Sequence, residues 1–93
     1  VLQDIDMNKL DERQQLFAIT AEECGELTQA CMKVMRIGDF PPEGKVYDDL
    51  VQEVGDVLCM MDLLHEWDVF SWEDVEEAAK RKRKKLEKWS DLI

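Results

Sequence analysis

Histidine occurs once, at position 65, and this scarcity excludes several chemistries. A di-iron helical bundle takes two Glu-x-x-His units, whereas His65 follows Asp62 by three residues and has no counterpart. A serine–histidine hydrolase is unsupported, and the chain has neither a Walker loop nor a Gly-x-Gly-x-x-Gly turn. The three cysteines, Cys24, Cys31 and Cys59, are odd in number and lack metal-type spacing. They fit free thiols in a reducing compartment, carried as small buried hydrophobes. No apolar run approaches the roughly 20 residues of a membrane span, and no signal peptide is visible at the start, so a soluble, cytoplasmic protein is expected. Sustained period-two alternation and hairpin dipeptides are missing too, which leaves an all-α reading.

Positive charge is also scarce, at 12 basic against 22 acidic residues, and the net charge of −10 argues against a nucleic-acid polymer as partner. The imbalance is uneven. Seven of the 12 basic residues and two of the 22 acidic ones fall in residues 80–93, leaving −15 on residues 1–79 and +5 on the tail. That tail offers only Trp89 for base stacking. Ninety-three residues make one small domain, spanning 1–93. A core of that size is marginal alone, and helical chains of this length often add burial by forming homo-oligomers.

What is present is helical periodicity. Residues 1–10 give little beyond Leu2, Ile5 and Leu10 as a short lead-in. A first long helix is expected from about Asp11 to Ile37, with Leu16, Thr20, Cys24, Leu27, Cys31 and Val34 on one face and Gly38 as its C-cap. Residues 38–45, with two prolines and two glycines, form a connecting loop. A second long helix is expected from Val46 to Trp67 with the stripe Leu50, Val54, Val57, Leu58, Met61, Leu64 and His65. His65 reads there as a core histidine. After a break at Asp68-Val69-Phe70, Ser71 reads as an N-cap, with Asp74 three residues on. The third, shorter helix runs to about Trp89 on Val75, Ala79, Lys82, Leu86 and Trp89, and Lys82 is the one cation on that inward face. The expected architecture is two long antiparallel helices plus the third, completing a four-helix-bundle-like core by oligomerisation.

Glu23 and Glu26 lie three residues apart within the first helix, and Glu53 and Asp56 within the second. On a helix such pairs are surface neighbours. Each claw sits at the margin of its apolar stripe, turned the same way, so antiparallel packing would bring both together. Carboxylates this close repel and are costly to shelter without compensation. A divalent cation compensates, and all-oxygen donors favour Mg²⁺, with Mn²⁺ as the alternative, over zinc or copper. Ions held this way suit phosphoryl chemistry. Gly25 and Gly55 each lie inside a claw, where glycine costs roughly 1 kcal/mol against alanine, so each calls for close helix approach or room for a ligand.

Glu22-Glu23-x-x-Glu26, followed by Glu53-x-x-Asp56, resembles the pattern of the MazG-type all-α nucleoside triphosphate pyrophosphohydrolases. The phrases Ala21-Glu22-Glu23-Cys24-Gly25-Glu26-Leu27 and Glu53-Val54-Gly55-Asp56-Val57-Leu58 resemble it as well, as does a third helix with a lysine at the Lys82 position. The resemblance covers about residues 15–89. It implies Mg²⁺-dependent cleavage of a ribo- or deoxyribonucleoside triphosphate to the monophosphate and pyrophosphate. It implies Glu23, Glu26, Glu53 and Asp56 as metal ligands, and Glu22 as an outer member that orients a ligand or the attacking water. Lys82 would neutralise phosphate charge. It also implies a dimer or tetramer whose cleft is shared between subunits. The family's third helix often carries an asparagine after the lysine, and this chain has a basic run there instead. Phe40, Tyr47, Trp67 and Trp72 are the residues available to stack on a base. The alternatives are a phosphoribosyl-ATP pyrophosphohydrolase, with a similar acidic pattern, and a non-enzymatic helical module binding a basic partner.

Overall fold

A computed structural model describes residues 6–93, which places Leu2 and Ile5 of the expected lead-in outside the described residues. A short 3-10 turn, Met7–Lys9, is followed by α1 (Glu12–Ile37), α2 (Gly44–Glu66) and α3 (Trp72–Trp89). No strand occurs among the described residues, and none of the helices is long and apolar enough to cross a membrane.

The ends of the helices follow from local chemistry. Asp11 caps α1 reciprocally: its carboxylate accepts from the Gln14 amide at 2.7 Å, and the Gln14 side chain accepts from the Asp11 amide at 3.0 Å. Gly38 ends α1 at φ 84°, a left-handed conformation in which a Cβ is strained, and its amide donates to the Val34 carbonyl. The loop is shorter than expected, because helical geometry begins at Gly44 rather than Val46. At the far end of α2 the Val69 amide donates to the Leu64 carbonyl (2.9 Å) and the Asp68 amide to the His65 carbonyl (3.0 Å). This is a Schellman closure, with Asp68 at φ 58° in the position glycine usually takes. Ser71 caps α3, its hydroxyl accepting from the Asp74 amide at 3.2 Å.

The chain falls into two compact units, Val1–Leu63 and Leu64–Ile93. In the first, α1 and α2 are antiparallel. Glu23 faces Glu53 and Asp56, while Lys33, further along α1, meets Asp49, which comes earlier in α2. The covered line of α1 is Leu16, Thr20, Glu23, Leu27, Ala30 and Val34. That of α2 includes Val46, Leu50, Glu53, Val57 and Met60. Both lines depart from the expected stripes by one residue at the claws. Cys24 and Cys31 are exposed, as is Cys59, so the cysteines are not buried hydrophobes in this chain. Val54 (48%) and Leu58 (57%) are exposed as well. One residue is about 100° of rotation on a helix. The turn puts Glu23 and Glu53 on the covered lines instead of at their margins. Close helix approach is not what Gly25 and Gly55 serve within the chain, since a Cβ at either position would meet nothing within 4 Å.

In the second unit the end of α2 and the start of α3 hold a small aromatic group. The His65 ring is half-buried and stacks on Trp72 at 5.2 Å, and Phe70 meets Trp72 edge-on at 5.4 Å. Trp72 is therefore packed against its own chain and is not free to stack on a base. Ala79 and Lys82 are exposed, and so is Trp89 (83%), so the expected inward face of α3 is reduced to Val75 and Leu86, both half-buried.

Candidate metal centre

The antiparallel pairing of α1 and α2 decides which carboxylates meet. Glu23, Glu53 and Asp56 each offer an oxygen, and the three oxygens lie within 4.8 Å of one another. All three residues are half-buried. Glu26, one turn along α1, is exposed and stands outside this tight group, and Glu22 is exposed beside it. Lys82 belongs to the second unit.

The electrostatics of the group are unfavourable without a cation. Burial pushes the Glu53 carboxyl above its ordinary value, and the charges of Asp56, Glu26 and Asp49 push it further the same way. Burial likewise raises Glu23, followed by the charges of Asp56, Glu53, Glu22 and Glu26. Glu26 thus acts on both members without joining them. One oxygen of Glu53, Oε2, is buried with no hydrogen-bond partner. A sheltered acceptor left unmatched is destabilising unless something absent from the protein itself satisfies it. Three convergent hard oxygens and one orphaned acceptor fit a divalent cation.

Gln52 completes the local order. Its side-chain amide donates to Asp56 Oδ1 at 2.9 Å across one helical turn, leaving Oδ2 free. A contact of this kind fixes the orientation of the Asp56 carboxylate. Gln52 was not among the sequence-derived site residues, although its i, i+4 spacing to Asp56 is the signal that would find it.

A cleft of about 620 Å³ runs along the α1–α2 seam beside the carboxylates. Glu26 and Glu53 line it at the acidic end, and Lys33, Arg36, Val46 and Asp49 line it further along.

The family model for the MazG nucleotide pyrophosphohydrolase domain matches residues 11–89. Comparison with curated proteins and with solved structures returned no match. An all-helical chain whose two long helices converge three carboxylates, matched by that model from the cap of α1 to the end of α3, belongs to the MazG nucleotide pyrophosphohydrolase domain family.

Proposed function

We propose that this protein hydrolyses ribo- or deoxyribonucleoside triphosphates to the monophosphate and pyrophosphate in a Mg²⁺-dependent reaction, with Mn²⁺ as the alternative ion. The observation that carries the reading is the convergence of Glu23, Glu53 and Asp56, with Glu53 Oε2 buried and unpartnered. Solvated acidic faces serving a basic protein partner would leave these groups apart and exposed.

Glu23, Glu26, Glu53 and Asp56 hold the metal, Glu26 joining from the cleft wall. When bound, the ion neutralises phosphate oxygens and lowers the pKa of water. Water attacks the α-phosphorus and gives its proton to a carboxylate. The bond from that phosphorus to the bridging oxygen breaks, and pyrophosphate leaves with the oxygen. Glu23, whose oxygen lies within 4.8 Å of those of Glu53 and Asp56, is the carboxylate assigned to this proton transfer. Glu22, next to it in sequence, orients the water. Lys82 supplies positive charge for the phosphates. Phe40, Tyr47 and Trp67, all exposed, are the remaining residues for base stacking.

A second copy of the chain completes the bundle. What supports this is a pair of uncovered apolar lines. On α2, Tyr47, Val51, Val54 and Leu58 are exposed at 4-3-4 spacing. On α1, Phe17, Cys24, Cys31 and Met35 are exposed along one side. Such spacing is what helices present to one another in bundles.

The test is pyrophosphate release from a panel of ribo- and deoxyribonucleoside triphosphates, in Mg²⁺ or in EDTA. Metal-dependent release with monophosphate as the second product is expected. Release of inorganic phosphate alone would move the cleavage to another bond, and no turnover of any member would remove the reading.

A further inference from the structure

The cleft beside the carboxylates changes sign along its length. At one end stand Glu26 and Glu53. At the other, Lys33 and Arg36 line the wall with a single carboxylate, Asp49. Asp49 is already neutralised from its own helix, because the Lys45 ammonium reaches both of its oxygens at 3.1 and 3.2 Å. Lys33 approaches it only to 3.9 Å, with both side chains substantially exposed. A pair that long and that wet holds its members weakly. Arg36 makes no ion pair among the described residues. The far end therefore carries two cations that nothing in this unit fully occupies. One is a guanidinium, whose planar fork matches phosphate oxygens in pairs.

Lys33 lies seven residues beyond Glu26, which is about 10 Å of helix rise, and its ammonium stands near Asp49 at the far end of the cleft. A ligand matched to this cleft carries cations at one end and bare anionic oxygens at the other. A metal-bound polyphosphate has that character. We propose that Lys33 and Arg36 seat the terminal β,γ-diphosphate of the substrate, and so hold the pyrophosphate product. This rests on the nucleotide reading above and adds a direction to it: the chain of phosphates runs from the carboxylates toward the C-terminal turns of α1.

The experiment is calorimetric titration of the whole chain with inorganic pyrophosphate in Mg²⁺, and separately with a nucleoside monophosphate. The wild type is compared with Lys33→Gln, Arg36→Gln and the control Lys80→Gln, which removes an exposed cation of α3. Each cleft variant is expected to lose about tenfold in pyrophosphate affinity, the size of one charge-assisted hydrogen bond. Monophosphate affinity is expected to stay within about twofold, and the control to match the wild type. Unchanged pyrophosphate binding in both cleft variants overturns the seat, as does a wild type that binds no pyrophosphate. An equal loss for the monophosphate overturns the direction, since it places the α-phosphate there. Because binding is read without turnover, a chain that holds pyrophosphate through Lys33 and Arg36 but hydrolyses nothing would keep the seat and remove the enzymatic reading. A chain that hydrolyses triphosphates yet ignores both substitutions would do the reverse.

Discussion

Glu23 of α1 and Glu53 of α2 face each other across the helix seam, each with an oxygen within 4.8 Å of the other and of Asp56. Each raises the other's difficulty: burial and neighbouring negative charge both disfavour the ionised form. Removing one charge is therefore expected to have opposite effects on folding and on catalysis. Glu23→Gln and Asp56→Asn are expected to lower turnover by at least on the order of 10²-fold. Helicity should be retained, and the melting temperature of the metal-free chain should rise. Circular dichroism melts beside a pyrophosphate-release assay check both. Full activity in either purified variant at ordinary magnesium would falsify the assignment.

Acidity supplies a second prediction. The folded chain binds protons at Glu23 and Glu53 more tightly than the unfolded chain, whose carboxyls keep the ordinary value of 4.5. Their contribution to stability is thus complete below about that pH and is lost as pH rises through the elevated values. In EDTA, melting temperature measured from acid toward neutrality should carry a decline that is smaller in the Glu23→Gln/Glu53→Gln double variant. Saturating Mg²⁺ should also reduce it, because the ion takes over the proton's role. An identical pH profile in variant and wild type would show that the two carboxyls are not coupled to folding.

The uncovered line on α2 gives a third. A glutamate in place of Val54 or Leu58 adds charge at a position already open in the single chain, so folding of the chain itself should tolerate it. If a second copy covers this line, Val54→Glu and Leu58→Glu lower the mass seen by sedimentation and reduce activity together. A wild type that sediments as a monomer at assay concentration is the outcome that removes the shared bundle.

A fourth concerns the end of α2. Asp68 holds φ 58° where residues with a Cβ are strained. Asp68→Gly should stabilise the chain by about 1 kcal/mol, the scale of the left-handed penalty. Thermal or urea unfolding reads this directly, and a destabilised variant would mean that the Asp68 side chain contributes contacts outweighing the strain.

The sequence carried the fold well where local chemistry sets it. Asp11, Gly38 and Ser71 stop and start helices through hydrogen bonds made within a few residues, so α1 and α3 begin and end as expected. The 3-10 turn at Met7–Lys9 was not legible, because its cap is a single Asp6 contact with no periodic pattern behind it. The faces of the helices were read less well. Apolarity pointed to Cys24 and Val54, whereas the chain covers Glu23 and Glu53 next to them. A carboxylate on a covered line contradicts hydrophobic patterning, and sites are where such contradictions are expected. Lys33 and Arg36 were hidden for another reason. Their relation to Asp49 is set by the register between two helices, and no spacing within one helix reveals it.

The orphaned oxygen of Glu53 also bears on how such a chain would change over generations. Residues that serve a protein's chemistry are often kept at a cost to its stability, so losing one can leave the fold sturdier. Here the neutral amide expected to silence the centre is also expected to relieve it. A duplicate released from selection for hydrolysis would therefore drift toward a quieter and sturdier helical protein, with its cleft and its exposed apolar lines intact. Among descendants of this chain, loss of a seam carboxylate would mark retired enzymes that have kept their shape.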